Sequence, residues 1–198
     1  WTGLNGNVNI DRTAPTAPAD TGGSVSWQAG PTVTVTAVGS TDAGSGVAGY
    51  EYETSTNGGS TWTTVTAGTS VLVSTQGTTL VQFAAKDGVG LVSPGTQETV
   101  KLDLTAPSAP TVSGGSSTWA NAASGTVTAS GSTDSGGSGL LGHQYRTSTD
   151  GGTAWSGTAS GASDLVTAEA NTWVQFRSVD TAGNTSAWTP STQTSAAT

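Results

Sequence analysis

Three aspartates in each half of the chain are the residues best suited, by type and spacing, to do chemistry. They recur 92 or 93 residues apart, as Asp11, Asp42 and Asp87 in the first half and Asp103, Asp134 and Asp180 in the second. Carboxylate oxygens are hard ligands of the kind that Ca²⁺ prefers, and this ion takes about six to eight oxygens. The pattern therefore indicates two candidate calcium sites, each built from three carboxylates.

These aspartates belong to a longer internal repeat. Residues 11–15, Asp-Arg-Thr-Ala-Pro, restart at 103–107 as Asp-Leu-Thr-Ala-Pro, and Val-Gln-Phe at 81–83 returns at 174–176. The period of 92 or 93 residues exceeds the roughly 20–50 residues of solenoid coils and propeller blades. It suits a sandwich domain of about 100 residues. We predict domains at residues 11–102 and 103–198, with residues 1–10 as the last strand or linker of a preceding unit.

Alternation of apolar and polar residues predicts the strands. The residues expected to face inward are Val33, Val35, Ala48, Tyr50, Tyr52, Val81, Phe83, Ala85, Val100 and Leu102. Glycine-rich turns separate these runs, and no long window shows a helical stripe. About seven short strands per copy are typical of an immunoglobulin-like sandwich. The predicted fold class is all-β, with two tandem Ig-like antiparallel β-sandwich domains.

The sandwich fold explains why the aspartates of one copy should meet. The start of each domain, the loop after its second strand and the loop before its last strand lie at one pole, and the aspartates fall there. In the second copy this pole faces the preceding domain, so we expect its triad at the junction. The alternative is that each aspartate caps its own turn by accepting backbone N–H bonds. The dense Asp-x-Asp spacing of dedicated calcium loops is missing.

Composition excludes several classes of function. The chain has no cysteine, a net charge of −8 and only 9% charged residues, against about 25% in typical soluble domains. Its five Lys and Arg residues do not cluster, which argues against nucleic-acid and anionic-membrane partners. No apolar run approaches the roughly 20 residues of a membrane span. A threonine-rich, lysine-poor composition favours an extracellular or cell-surface location.

The repeated motifs resemble those of a known family. An Asp-x-Thr-Ala-Pro start, a Ser-Thr-Asp/Asn-Gly-Gly turn before a Trp, and Asp180-Thr-Ala-Gly-Asn-Thr-Ser are similar to bacterial Ig-like repeats of large secreted and surface proteins. The resemblance implies a spacer or adhesive stalk whose partners are neighbouring repeats, and it implies no catalytic residues. The first copy departs from the last motif, with Asp87-Gly-Val-Gly-Leu-Val-Ser.

The inventory of catalytic residues argues against an enzyme. His143 is the only histidine, and it occupies the strand position of Tyr50 in the first copy. Residues 148–155, Ser-x-Asp-x-Gly-x-x-Trp, resemble the Asp-box turn of sialidases, but two such boxes cannot build a propeller of at least about four blades. We predict that Asp150 and Asn57, the matching residue, only cap these turns.

Seven tryptophans raise the possibility of carbohydrate binding. Trp27 recurs as Trp119, and Trp62 as Trp155, which favours packing or turn-covering roles for these four. We predict that Trp173 and Trp188 are aromatic residues that face a ligand. The expected function is a non-catalytic structural module of a long extracellular fibre, stalk or adhesin, with a cell-surface glycan or protein as a further partner. Two alternatives are a carbohydrate-binding accessory region of a secreted polysaccharide-degrading enzyme and an Ig-like decoration of a phage particle.

Overall fold

The computed structural model describes residues 6–116 and 118–190, which form fourteen β-strands and no helix. The described part of the chain thus has no helix that could cross a membrane. The chain divides into two compact units, one of residues 1–26 with 30–102 and one of residues 27–29 with 103–198. Residues 1–5 of the predicted segment 1–10, and residues 191–198 of the predicted domain 103–198, lie outside the described residues.

The first unit is built from two antiparallel sheets. Its strands are β1 (Ala19–Thr21), β2 (Ser24–Gln28), β3 (Val33–Val38), β4 (Val47–Ser55), β5 (Thr66–Ala67), β6 (Ser70–Val73), β7 (Gly77–Asp87) and β8 (Thr96–Leu102). The last two residues of β2 fall in the second unit by the division above. One sheet has the order β1-β3-β6 and the other β2-β8-β7-β4-β5. Threonine and valine dominate these strands because their branched side chains suit a pleated, half-buried surface.

The second unit repeats this plan with fewer regular strands. These are β9 (Thr111–Ser113), β10 (Gly125–Ser130), β11 (Leu140–Ser148), β12 (Ala159–Ser160), β13 (Ser163–Val166) and β14 (Trp173–Asp180). The sheets have the orders β13-β10-β9 and β12-β11-β14, and isolated bridges join Phe176 to Thr189 and Val179 to Thr185. The fold is therefore all-β, with two tandem Ig-like antiparallel sandwiches.

The predicted inward rows form the core of the first unit. Phe83 is fully buried in a cluster that joins both sheets, and Tyr50 and Tyr52 pack against its edge. Other members are Val35, Ala37, Val73, Val81, Val100 and Leu102. In the second unit Phe176 takes the equivalent place, with Ala129 and Val174 buried beside it. The inward faces of the predicted strands thus form the core of the first unit, and the equivalent strand faces form the core of the second.

A β-bulge corrects one predicted core residue. The register between β4 and β7 shifts between Val47 and Gly49, and Ala48, expected to face inward, is exposed. The second unit has the same shift between Leu140 and Gly142, where Leu141 is exposed. A bulge adds one residue to a strand, so the inside–outside alternation reverses across it. Simple alternation cannot predict that reversal.

Candidate metal centres

The bulges lie beside the aspartates at the end of each unit. Asp87 is the last residue of β7 and pairs with Val47, directly before the bulge in β4. Asp180 ends β14 in the same way and pairs with Leu140. Bulges occur next to functional sites because they redirect nearby side chains. The architecture therefore holds these two aspartates at equivalent positions of the two units.

The structure brings each set of three aspartates together. In the first triad, Asp11, Asp42 and Asp87 each offer a carboxylate oxygen, and the three oxygens lie within 4.8 Å of one another. The same limit holds for Asp103, Asp134 and Asp180, which form the second triad. Asp87, Asp103 and Asp180 are buried, at 2%, 0% and 0% exposure. The two triads therefore occupy equivalent positions in the two repeats, with one buried aspartate in the first and two in the second.

Backbone N–H groups hold the first triad in place. Ser45 N donates to Asp11 Oδ2 (2.6 Å), and Gly46 N donates to Asp42 Oδ2 (2.7 Å). Leu91 N donates to Asp87 Oδ1 (2.8 Å). The turn-capping that the sequence suggests is thus present, and it coexists with convergence of the carboxylates.

Gly44 is required for the close approach of the Asp11 loop. A Cβ added at Gly44 would overlap the Asp11 carboxyl group. A surface depression lined by Ile10–Thr13 and 42–44 reaches Asp11 and Asp42. An ion could therefore enter the first triad from solvent without opening the sandwich.

The second triad uses the same kind of donors. Ser138 N donates to Asp103 Oδ2 (2.8 Å) and Gly136 N to Asp134 Oδ1 (3.2 Å). Asp180 Oδ1 accepts from Gly183 N (2.7 Å). In both triads, loop N–H groups bind the carboxylates: both oxygens of Asp11 and Asp103 accept such bonds. The other four aspartates accept them on one oxygen each.

The triads differ in the oxygens that remain without a partner. In the first, Asp42 Oδ1 and Asp87 Oδ2 are buried and receive no hydrogen bond from any described residue. In the second, Asp134 Oδ2 is such an atom, whereas Asp180 Oδ2 accepts from Asn184 Nδ2 at 2.8 Å. Leu91 occupies the position of Asn184 in the first unit, and its side chain has no donor. Sequence analysis did not single out Asn184, although the differing last motif is the signal that marks it.

Hydrogen bonding favours the ionised state of the aspartates that start each unit. Bonds from Ser45 and Thr13 lower the pKa of Asp11 to about 2. Burial opposes ionisation of Asp103, yet bonds from Ser138 and Thr105 hold its pKa below the usual value. Both groups therefore carry negative charge at neutral pH, as metal ligands must.

The donor set fits Ca²⁺ better than other common metals. All ligands are carboxylate oxygens, which suit Ca²⁺ and Mg²⁺, whereas Zn²⁺ prefers nitrogen and sulfur donors. Each of the three carboxylates can bind through one or both of its oxygens. Water can supply the rest of the about six to eight oxygens that Ca²⁺ takes in irregular geometry. A buried carboxylate oxygen without a hydrogen bond is costly, and a bound cation would remove that cost. The first triad, with two such atoms, meets this criterion more fully than the second.

The Asp-box segments are turns, as predicted from the sequence. Asp150 Oδ1 accepts from Thr153 N and Ala154 N, both at 3.0 Å, and Asn57 Oδ1 accepts from Thr61 N at 2.9 Å. Ser148 Oγ donates to Asp150 Oδ1 at 2.7 Å. These bonds use the side-chain oxygens to close each loop, which supports a structural role for both segments.

Replacing Asp150 by Asn should reduce the acid sensitivity of the second unit. Hydrogen bonds from Ala154 and Ser148 hold the pKa of Asp150 below its usual 3.8. A depressed folded-state pKa contributes stability above about pH 4, and this contribution is lost as pH falls through the folded value. Thermal melts from pH 5 to pH 2 should show a smaller loss in Asp150→Asn than in the parent chain. Asn57→Asp, which introduces the acid into the first unit, should increase that unit's loss; equal slopes in all three chains would contradict the assignment.

Among the four recurring tryptophans, one departs from its predicted role and the other three are half-buried. Trp119, expected to pack or cover a turn, is 83% exposed. Trp173 and Trp188, predicted to face a ligand, are half-buried. The guanidinium carbons of Arg146 and Arg177 lie 4.5 and 4.6 Å from the ring centre of Trp188. Arginine therefore covers Trp188, and sequence analysis missed both arginines because they are far apart in the chain.

His143 is held by hydroxyl groups. Its Nε2 lies 3.0 Å from Ser132 Oγ, which in turn lies 2.6 Å from Ser178 Oγ. Tyr50 in the first unit accepts a hydrogen bond from Ser40 N, so both side chains tie β4 or β11 to the loop that follows β3 or β10. The half-buried histidine thus has the position and contacts of a structural residue.

Comparison with known proteins shows a likeness to solved structures. No family model and no curated protein matches the chain. A crystal structure of the chicken CNTN1 FN1–FN3 domains is similar with a TM-score of 0.42 and 17% sequence identity. The match covers 88% of this chain and 66% of that one, so it spans slightly less than two thirds of the neighbour.

Proposed function

We propose that this chain is a non-catalytic structural module whose two repeats each bind one Ca²⁺ through an aspartate triad. The observation that carries the proposal is duplication: in both units three carboxylate oxygens lie within 4.8 Å of one another. Turn-capping alone gives no reason for three separate loops to converge, because each Asp could cap its turn at a distance from the others. Bringing like charges together costs free energy that a divalent cation would offset.

The module would serve as one section of a longer extracellular or cell-surface fibre, stalk or adhesin of bacterial type. Its partners would be neighbouring Ig-like repeats of the same longer chain. A bound cation would stabilise each unit in proportion to its occupancy by mass action. This role requires no catalytic group, in keeping with the hydrogen bond between His143 and the Ser132 hydroxyl.

Calorimetric titration of the metal-free chain with Ca²⁺ tests the proposal. We expect binding at both triads, with Asp87→Asn removing the first event and Asp180→Asn the second. Asp164→Asn is the matched control, because Asp164 is an acidic residue of β13 outside both triads. Absence of binding heat, together with equal melting in EDTA and in millimolar Ca²⁺, would leave the aspartates as turn caps only.

Asn184→Leu should convert the second triad to the pattern of the first. Asn184 Nδ2 donates to Asp180 Oδ2 at 2.8 Å and to the Asp103 carbonyl oxygen at 2.9 Å. Removing bonds to a charged group should cost the metal-free unit about 1.5–3 kcal/mol. The same change frees Asp180 Oδ2 for a cation, so Ca²⁺ affinity of the second triad should rise. Chemical denaturation in EDTA and calcium titration measure the two effects, and weaker Ca²⁺ binding by the variant would show that Asn184 supports the site.

A further inference from the structure

Both basic residues of the second repeat lie on the outer face of one sheet. Arg146 is in β11 and Arg177 in β14, and each is paired across the ladder with a glutamine, Gln175 and Gln144 respectively. The repeat is otherwise acidic, with six Asp and Glu residues against these two arginines. Both of its cations are thus placed within one small area.

Indole rings and arginines form a stack over this face. The guanidinium carbon of Arg146 lies 4.5 Å from the ring centres of both Trp155 and Trp188, and that of Arg177 lies 4.6 Å from Trp188. We call these four residues the Trp–Arg stack. Cation–π contacts of this kind attract a guanidinium to the ring and, with its hydrogen bonds, restrict its motion. The stack therefore presents two pre-oriented cations.

Neither arginine is neutralised by a described carboxylate. Arg146 donates Nε and Nη2 to Gln175 Oε1 (3.0 and 2.7 Å). Arg177 donates Nε to Gln144 Oε1 (2.8 Å) and Nη1 to Thr185 Oγ1 (3.5 Å). A guanidinium has five N–H donors, so each retains about three for another partner. The neutral glutamines orient the two groups without cancelling their charge.

The two charges repel each other within a partly dehydrated site. Burial lowers the pKa of Arg146, and the charge of Arg177 lowers it further. Arginine remains ionised even so, because its reference pKa exceeds about 12. An anion bound between or beside the two groups would relieve this repulsion and would be less screened than on an open surface.

The neighbouring side chains favour a sugar as the carrier of that anion. Trp173 shares the outer face of β14 with Gln175 and Arg177, and it is half-buried. The amide nitrogen of Gln144 donates no hydrogen bond to any described residue, so it can donate one to a hydroxyl group of a ligand. Indole surface, amide donors and guanidinium donors together match a ring that carries C–H groups, hydroxyls and a carboxylate.

We propose that the Trp–Arg stack of the second repeat binds a carboxylate-bearing glycan. The carboxylate would accept in-plane N–H bonds from Arg177 or Arg146, and the sugar ring would lie toward Trp173. This site is independent of the aspartate triads and of their calcium binding. The first repeat has Glu53 where Arg146 stands, and Ala84 where Arg177 stands, so it should not bind the same ligand.

The test is an NMR titration of the full chain with three short probes. These are an oligogalacturonate trisaccharide, its methyl ester, which lacks the negative charges, and a triglutamate peptide. Short probes limit repulsion from the net charge of −8. We expect the acid sugar to shift the indole N–H signals of Trp155 and Trp188, whereas the ester and the peptide should bind at least about tenfold more weakly.

Charge variants complete the test. Arg177→Gln should weaken binding of the acid sugar at least about tenfold, and Lys86→Gln, which removes an exposed charge from the first repeat, should not. If Arg177→Gln unfolds the second unit, Arg177→Lys retains the charge but loses the planar donors and should also weaken binding. Equal binding of acid and ester, equal or tighter binding of the peptide, or no shift with any probe would overturn the proposal.

Discussion

Phe83→Ala is expected to destabilise the first unit by about 3–5 kcal/mol. Phe83 is fully buried, and its ring lies 5.5 Å from that of Tyr52 in the cluster that joins the two sheets. Loss of the ring removes both its burial and its contacts, and the rigid sheets cannot close around the resulting cavity. Because domains are stable by only about 5–15 kcal/mol, this change should remove much of the unit's stability.

Phe176→Ala is the matched variant in the second unit. Phe176 is also fully buried, 5.8 Å from Tyr145, but its cluster contains fewer buried residues than that of Phe83. In the parent chain the second unit should therefore melt at a lower temperature than the first. Phe176→Ala should lower the melting temperature of the second unit further. Calorimetry should show that each substitution shifts one transition and leaves the other in place. A single transition moved equally by both variants would contradict two independently folding domains at residues 11–102 and 103–198.

Asp42→Asn should change the stability of the first unit in opposite directions with and without Ca²⁺. In EDTA the amide oxygen can keep the bonds from Gly44 N and Gly46 N, while its nitrogen replaces the buried Oδ1 that has no partner. Removing one of three charges within 4.8 Å should stabilise the unit by on the order of 1 kcal/mol. At a Ca²⁺ concentration of about 100 times Kd, binding should raise the free energy of unfolding of the parent by about 2.7 kcal/mol. The variant should lose most of this stabilisation.

Melting curves of parent and variant measure this reversal. About 2.7 kcal/mol corresponds to roughly 10–20 °C for a domain of this size, so the calcium effect should be plain. Asp134→Asn should behave in the same way in the second unit, since Asp134 Oδ2 also lacks a partner among the described residues. Asp164→Asn should move neither transition by a calcium-dependent amount. A variant that is less stable than the parent in EDTA would show that the Asp42 charge supports its turn more than it repels its neighbours.

The local rules of strand formation could be applied directly to this sequence. Alternation placed Phe83, Val35 and Val100 in the core, because successive side chains of a strand point to opposite faces. The same rule misplaced Ala48, since a bulge adds a residue and reverses the alternation. A bulge depends on which residues pair across two strands, and that pairing is not visible within one strand.

The Trp–Arg stack could not be predicted for a related reason. Recurrence between the copies drew attention to Trp62 and Trp155, but Arg146, Arg177 and Trp188 have no like residue in the first copy. Their contact arises because β11 and β14 are neighbours in the sheet and the segment after β14 returns beside them. The contact of Arg146 with Trp188, which are far apart in the chain, depends on this pairing.

The internal repeat, the all-β class, the alternating core and the three aspartates of each copy could all be predicted from the residues alone. Each of these follows from residue type and from spacing within a strand or between copies. Pairing and packing of the sheets bring one carboxylate oxygen from each aspartate of a triad within 4.8 Å of the others. They also place Asn184 Nδ2 against Asp180 Oδ2, whereas Leu91 offers no side-chain donor to Asp87 Oδ2. None of these contacts follows from residue type and spacing. The physical reason is that three loops from distant parts of the chain meet only after the sheets have paired and packed, so the geometry of the site belongs to the fold.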